Sequence, residues 1–185
     1  RSSTNIAPIN EVLAAGLVLL SGYTGEQNFI DPMCGSGTIL IEATMIACRI
    51  PANINRKHFA FENWPDFDED LFFVIQEALL KKISSSHFKI MGFDKAPSAV
   101  QKAKENIENA NLSEFVGVHH INFFNSRKEV FGATTILFNP PYGERLGEKD
   151  ILTYLYQFLG DRLRSHFAGW RVSLICSEID LLDAL

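Results

Sequence analysis

The amino-acid sequence predicts an α/β domain with a doubly wound, mostly parallel sheet and helices on both faces. Two observations carry the prediction. Short strand-like runs alternate with longer runs of helical periodicity, and the first strand passes into its helix through the glycine turn Gly35-Ser36-Gly37. A third observation sets the scale: 185 residues, 46% hydrophobic and 21% charged, are those of one globular domain with a full core.

Taken in order, Ile9, Val12, Leu13, Leu17 and Leu20 recur at helical spacing, and Gly22 and Gly25 end that helix. A short strand, Asn28 to Asp31, runs through the glycine turn into an apolar helix over 38–49, of the kind buried against a sheet. Residues 50–88 break the rhythm with Pro51, Asn53 and Asn55, an aromatic and acidic stretch around Trp64, and a helical segment from Leu71 to Ile83; they read as an insertion. Regularity resumes with a strand over 89–94. Pro97 then starts a helix carrying Ala99, Val100, Ala103, Ile107 and Ala110 on one face. Strands over 115–121 and 134–138 follow, then a Pro/Gly-rich loop over 139–149. Leu152, Leu155, Tyr156, Leu159, Leu163 and Phe167 mark an amphipathic helix that Gly169 ends, before a strand over 171–176 and a helix beginning at Ile179.

Composition narrows the function classes. Seventeen basic against twenty-two acidic residues give a net charge of −5, so any nucleic-acid partner must be met by a local patch or by another domain. Arg145, Arg162, Arg164 and Arg171 are candidates for a local basic rim, with scattered surface charge as the alternative. Cys34, Cys48 and Cys176 are an odd number without close spacing, which indicates neither a disulfide framework nor a metal cluster and fits a cytoplasmic setting. The longest apolar run, Val12 to Leu20, is too short to span a membrane, so no membrane partner is expected.

Ligands of open parallel sheets bind at the carboxyl ends of the strands. At the first such end lie Asp31, Pro32, Met33, Cys34, Gly35, Ser36 and Gly37, where small residues admit a ligand to the backbone and the next helix offers free N–H groups. A phosphate loop of the nucleotide triphosphatase kind needs a Lys after its second glycine, and this chain has Thr38 and Ile39 there. A dinucleotide loop needs a third small residue, and this chain has Leu40. Asp94, at the tip of the second strand, suits the two hydroxyls of a ribose, or else caps a helix. Asp31, followed by Pro32, suits the amino end of a zwitterion. A ligand with ribose, carboxylate and amino group but no phosphate points to S-adenosyl-L-methionine. Asn122 and Phe123, ending the third strand, are placed to meet its adenine, Asn122 through the exocyclic amine and Phe123 against the ring, although an Asn at a strand end is often only a turn residue.

The fourth strand ends in Asn139-Pro140-Pro141-Tyr142-Gly143. Adjacent prolines make this loop rigid. An exocyclic nucleobase amine is a poor nucleophile because its lone pair is delocalised. The Asn139 side-chain oxygen and the Pro140 carbonyl can hold its two N–H bonds, so that the lone pair faces a methyl donor and the positive charge forming on nitrogen meets fixed dipoles. Tyr142 offers a stacking surface for a flipped base. In isolation the same residues would be a proline-stiffened turn with a surface tyrosine; following a fourth strand, behind the glycine turn and Asp94, they read as catalytic.

Together these residues resemble the class I S-adenosylmethionine-dependent methyltransferases of the Asn-Pro-Pro-Tyr type. More narrowly, the chain is similar to the large-subunit ribosomal RNA guanine N2-methyltransferases that carry a THUMP domain. The likeness runs from Ala7-Pro8-Ile9-Asn10-Glu11 through Asp31 to Thr38, Phe59-Ala60-Phe61 with Trp64, and Asn139 to Gly147, to Gly169-Trp170. It implies a Rossmann-like fold and methyl transfer to guanine N2 of 23S ribosomal RNA. It assigns Asp31 to Gly37 to the methionine moiety, Asp94 to the ribose, Asn122 and Phe123 to the adenine, and Asn139 to Tyr142 to the target amine. It also implies that the last strands of the family fold, and the THUMP domain that would hold most of the attraction to RNA, lie outside these residues. One departure is Asn122, where the family usually has Asp. Adenine N6 methylation, a non-catalytic cofactor- or RNA-binding module and a nicotinamide dehydrogenase are the competing readings.

Overall fold

The computed structural model describes residues 9–127, 132–140, 149–176 and 179–185. Among these residues five strands, β1 (Asn28–Asp31), β2 (Ile90–Asp94), β3 (Val116–His120), β4 (Thr134–Phe138) and β5 (Arg171–Leu174), form one sheet in the order β3-β2-β1-β4-β5. Every pairing is parallel. The helices are α1 (Glu11–Leu20), α2 (Thr38–Ala47), α3 (Glu69–Leu80), α4 (Pro97–Asn109) and α5 (Lys149–His166).

Because neighbouring strand residues point to opposite faces, each short strand feeds two cores. Phe29 and Leu137 pack with Ala14, Val18, Leu40, Ala43, Val100 and Ile107 on the side of α1, α2 and α4. Ile30, Ile136 and Phe138, one step away along the same strands, pack with Leu159 of α5 and with Phe167 just beyond it. The expected covering of both faces is therefore present, and β1 and β4, the central pair, are buried along their whole length.

Local chemistry explains the helix starts. The Asn10 side chain accepts from the Val12 N–H at 2.9 Å, Asp68 accepts from Leu71 at 2.9 Å, and Pro97 occupies the first turn of α4. The inward face of α1 differs from the expected stripe. Val12, Leu13 and Leu20 are exposed, and Ala14 and Val18 are fully buried instead. The helix rests on α2, and a small residue at the contact allows the two helices to approach. The segment expected as a helix from Ile179 is a 3₁₀ turn, Ile179–Ala184, whose Leu181 packs on Leu152 and Tyr156. β5 stops two residues short of its expected end. In the 50–88 segment, α3 has no buried residue and presents Leu71, Phe73 and Val74 to solvent. No described helix is long and apolar enough to cross a membrane.

Candidate active site

The strand order reverses between β1 and β4. From β1 the chain turns to α2 on one face; beyond β4 it reaches α5 on the other, so the two strand ends lie at the switch point where open parallel sheets take their ligands. The register pairs Ile30 with Ile136. The expected glycine turn and Asn139 therefore follow neighbouring strand ends.

The turn at β1 is tightly wired. The Met33 N–H donates to Asp31 Oδ1 at 3.1 Å, and the Cys34 N–H to the Phe93 carbonyl at 2.9 Å. The Gly37 N–H closes the turn on the Cys34 carbonyl at 2.8 Å. Gly35 and Gly37 have φ of 53° and 83°, a region costly for other residues. Among the described residues a Cβ on Gly35 would meet nothing within 4 Å, which makes this side of the turn an open cradle. Asp94 accepts the Gly35 N–H on Oδ2 at 3.0 Å and the Ala96 N–H on Oδ1 at 2.9 Å. The N-cap of α4 is Ala96, so Asp94 binds the glycine turn and its own loop rather than acting as the helix cap. A carboxylate has about four acceptor positions, and two remain for hydroxyl donors.

Asp31 is 1% exposed. Burial pushes its carboxyl up to about 8, the Met33 N–H opposes that rise, and the negative charge of Asp94 adds to it. Asp31 is thus a mostly neutral acid at pH 7 whose proton leaves readily once a cationic group sits beside it. Burial, with Asp31 and Asp94 nearby, also pushes the Cys34 thiol up, which makes it a packing residue and not a nucleophile.

At β4, Asn139 is half-buried and Pro140 buried. Asn139 Oδ1 is shielded from solvent and has no hydrogen-bond partner among the described residues. A buried acceptor left unpaired costs about 1–3 kcal/mol, so a donor is wanted at this point. Pro141 and Tyr142 lie outside the described residues.

Of the two expected adenine contacts, Asn122 stands exposed just after β3 with one acceptor position used within the fold, and Phe123 is turned into the core. Asn122 Oδ1 accepts from the Phe124 N–H at 3.1 Å, which makes Asn122 the cap of the 3₁₀ turn Phe123–Asn125. Phe123 is a core residue, 3% exposed and stacked on Phe167 with centroids 5.4 Å apart, so its ring faces are not offered to a ligand. Arg162, Arg164 and Arg171 of the suggested basic rim are engaged within the fold, only Arg164 of them with an acidic partner among the described residues. Arg162 donates to the Ser126 carbonyl and Arg171 to that of Gly22, while Arg164 pairs with Asp161. Arg145 lies outside the described residues.

Sequence reasoning missed two supports. Gly92 of β2 faces α2, where a Cβ would collide with Leu40 and crowd Cys34. Asn106 of α4 donates from Nδ2 to the Ser36 carbonyl at 2.9 Å. Its signal was available: a polar residue three positions after Ala103, beside the apolar stripe.

An all-parallel β3-β2-β1-β4-β5 sheet with a glycine turn on β1 and an acidic residue at the tip of β2 has the Rossmann-like architecture of class I methyltransferases. The chain belongs to the UPF0020 family, described as the RMKL-like methyltransferase domain, whose model matches residues 1–185. It is 40% identical over 190 residues to Ribosomal RNA large subunit methyltransferase K/L of Shewanella loihica (strain ATCC BAA-1088 / PV-4), covering 100% of this chain and 27% of that protein. Among solved structures it matches SMU.472, crystallised in complex with SAH, with TM-score 0.85 and 30% identity over 98% of this chain and 47% of that one. A structure named as a predicted N6-adenine-specific DNA methylase from Listeria monocytogenes str. 4b F2365 matches with TM-score 0.82 and 28% identity, over 99% and 47%. The chain spans about a quarter of the length of the curated relatives it matches.

Proposed function

We propose that this domain transfers a methyl group from S-adenosyl-L-methionine to the exocyclic amine of a nucleobase, guanine N2 of 23S ribosomal RNA. The observation that carries the reading is the solvent-shielded Asn139 Oδ1 at the end of β4, without a hydrogen-bond partner among the described residues and beside the strand that bears the glycine turn. A nucleobase N–H is a donor of the kind that atom lacks, and the Pro140 carbonyl would take the second one. Held so, the amine is stripped of water and its positive charge in the transition state meets two oriented acceptors. Tyr142 would stack on the base. The proton is lost from the methylated amine to an acceptor or to water, without a dedicated base.

The residues at β1 and β2 fit the cofactor. Gly35 leaves an open cradle, Asp94 keeps two acceptor positions for a diol, and Asp31 matches a cationic amino group. When bound, S-adenosyl-L-methionine supplies a methyl group on sulfonium sulfur. The name of the Shewanella relative supports ribosomal RNA as the substrate. With a net charge of −5, this domain would rely on other parts of a longer protein, such as a THUMP domain, for most of its hold on RNA, in the cytoplasm. Residues 1–185 are then the methyltransferase domain, and the 50–88 segment is an insertion in it.

The name of the Listeria structure favours a second reading, adenine N6 of DNA or RNA, because Asn139 and Pro140 would serve any planar amine. Labelled cofactor, ribosomal RNA and DNA, followed by identification of the modified base, separate the two. Methylguanine in RNA is expected; methyladenine alone would overturn the guanine assignment. Asn139→Ala is expected to lower kcat by about 10²–10³-fold. Unchanged turnover would remove Asn139 from the mechanism, and turnover absent from the unaltered protein would favour a non-catalytic binding module.

A further inference from the structure

Resting on the cofactor assignment above, we infer that Asn106 of α4 is a positioning residue that holds the glycine turn in its cofactor-binding conformation. Gly35 and Gly37 both have positive φ, and no described side chain lies within 4 Å of a Cβ built on Gly35. Peptide planes flanked by glycines rotate at little cost, so such a turn needs external ties. Besides the Cys34 N–H to the Phe93 carbonyl, which anchors the start of the turn, three hydrogen bonds act on its glycines and on the Ser36 carbonyl between them. Gly37 N–H to Cys34 is internal to the turn. Gly35 N–H to Asp94 Oδ2 uses the carboxylate assigned to the ribose, so cofactor binding bears on it. Asn106 Nδ2 to the Ser36 carbonyl, 2.9 Å across 70 positions of sequence, comes from a helix with no part in the ligand.

The helix is seated for this purpose. A Cβ on Gly37 would lie 3.2 Å from the Ala103 methyl, so α4 is pressed against the turn one helical turn before Asn106. The side chain is half-buried, where a hydrogen bond is less exposed to competition from water. Drawing the Ser36 carbonyl toward α4 keeps the negative end of that peptide dipole away from the start of α2, where free N–H groups would face the ligand's carboxylate. Replacing Asn106 therefore weakens the cofactor site while leaving the residues that hold the target amine in place.

The test is calorimetry of S-adenosylmethionine and SAH binding to the full chain, with Asn106→Leu, which lacks the donor at similar size, and Asn106→Asp, which puts an acceptor against a carbonyl. Both variants should weaken binding roughly tenfold, the loss of one hydrogen bond. In turnover assays KM for the cofactor should rise while kcat at saturating cofactor moves less than threefold. Folded variants that bind within twofold of the unaltered chain overturn the inference; no binding by the unaltered chain overturns the cofactor assignment itself. Should both variants fail to fold, NMR of the unaltered chain decides. The Asn106 side-chain NH₂ should exchange more slowly when cofactor is bound, and an unchanged exchange rate overturns the inference.

Discussion

At the scale of single residues, the site depends on groups kept short of their normal partners or charge. Asn139 Oδ1 lacks a donor among the described residues, and Asp31 is held mainly neutral. The second condition affects stability. Asp31 has its folded value pushed up to about 8 against an ordinary 3.8. Between those values the folded chain keeps a proton that the unfolded chain has lost, so this group makes stability fall as pH rises toward 8, by at most about 1.4 kcal/mol per pH unit. Asp31→Asn removes the titration. Urea unfolding at about pH 5 and about pH 7.5 should show the unaltered chain losing more stability over that interval than the variant; parallel losses would mean that Asp31 is charged throughout. The glycine turn, Asp31, Asp94 and Asn139 were legible in the sequence because short covalent patterns at strand ends specify them. The orientation of Phe123 was not, since whether its ring enters the core depends on Phe167, a distant residue that stacks on it.

At the scale of elements, the strands and helices were legible from their periodicity, while the inward faces were less so. The α1 stripe is turned because α2 receives Ala14 and Val18 rather than the largest side chains. The same packing logic governs β2 against α2. Leu40 is fully buried, and it reaches that position over Gly92, where a side chain would displace it and press on Cys34 of the glycine turn. Gly92→Ala therefore overpacks the layer. A loss of about 1–3 kcal/mol is expected, read as a lower urea midpoint with little change in slope. An unchanged midpoint would show that α2 slides on the sheet without cost, contrary to the close packing of this face.

At the scale of the whole molecule, the parallel sheet was legible from the alternation of strands and helices, whereas the order β3-β2-β1-β4-β5 was not, because no local pattern records which strands become neighbours. That order brings the β1 and β4 ends side by side, and the residues at the turn select the ligand. A dinucleotide turn leaves room at its third small residue for the helix to approach; here Leu40 occupies that position and is spent on the contact with Gly92. SAH at about 100 times its Kd should stabilise the fold by about 2.7 kcal/mol, a rise in Tm of roughly 5–10 °C for a domain of this size. NAD at the same concentration should leave Tm unchanged, since the turn lacks the small third residue that gives a dinucleotide turn its close helix packing. A shift with NAD and none with SAH would mean that Leu40 yields its place, and that the site at the β1 and β4 ends is shaped for a phosphate bridge rather than for a sulfonium donor.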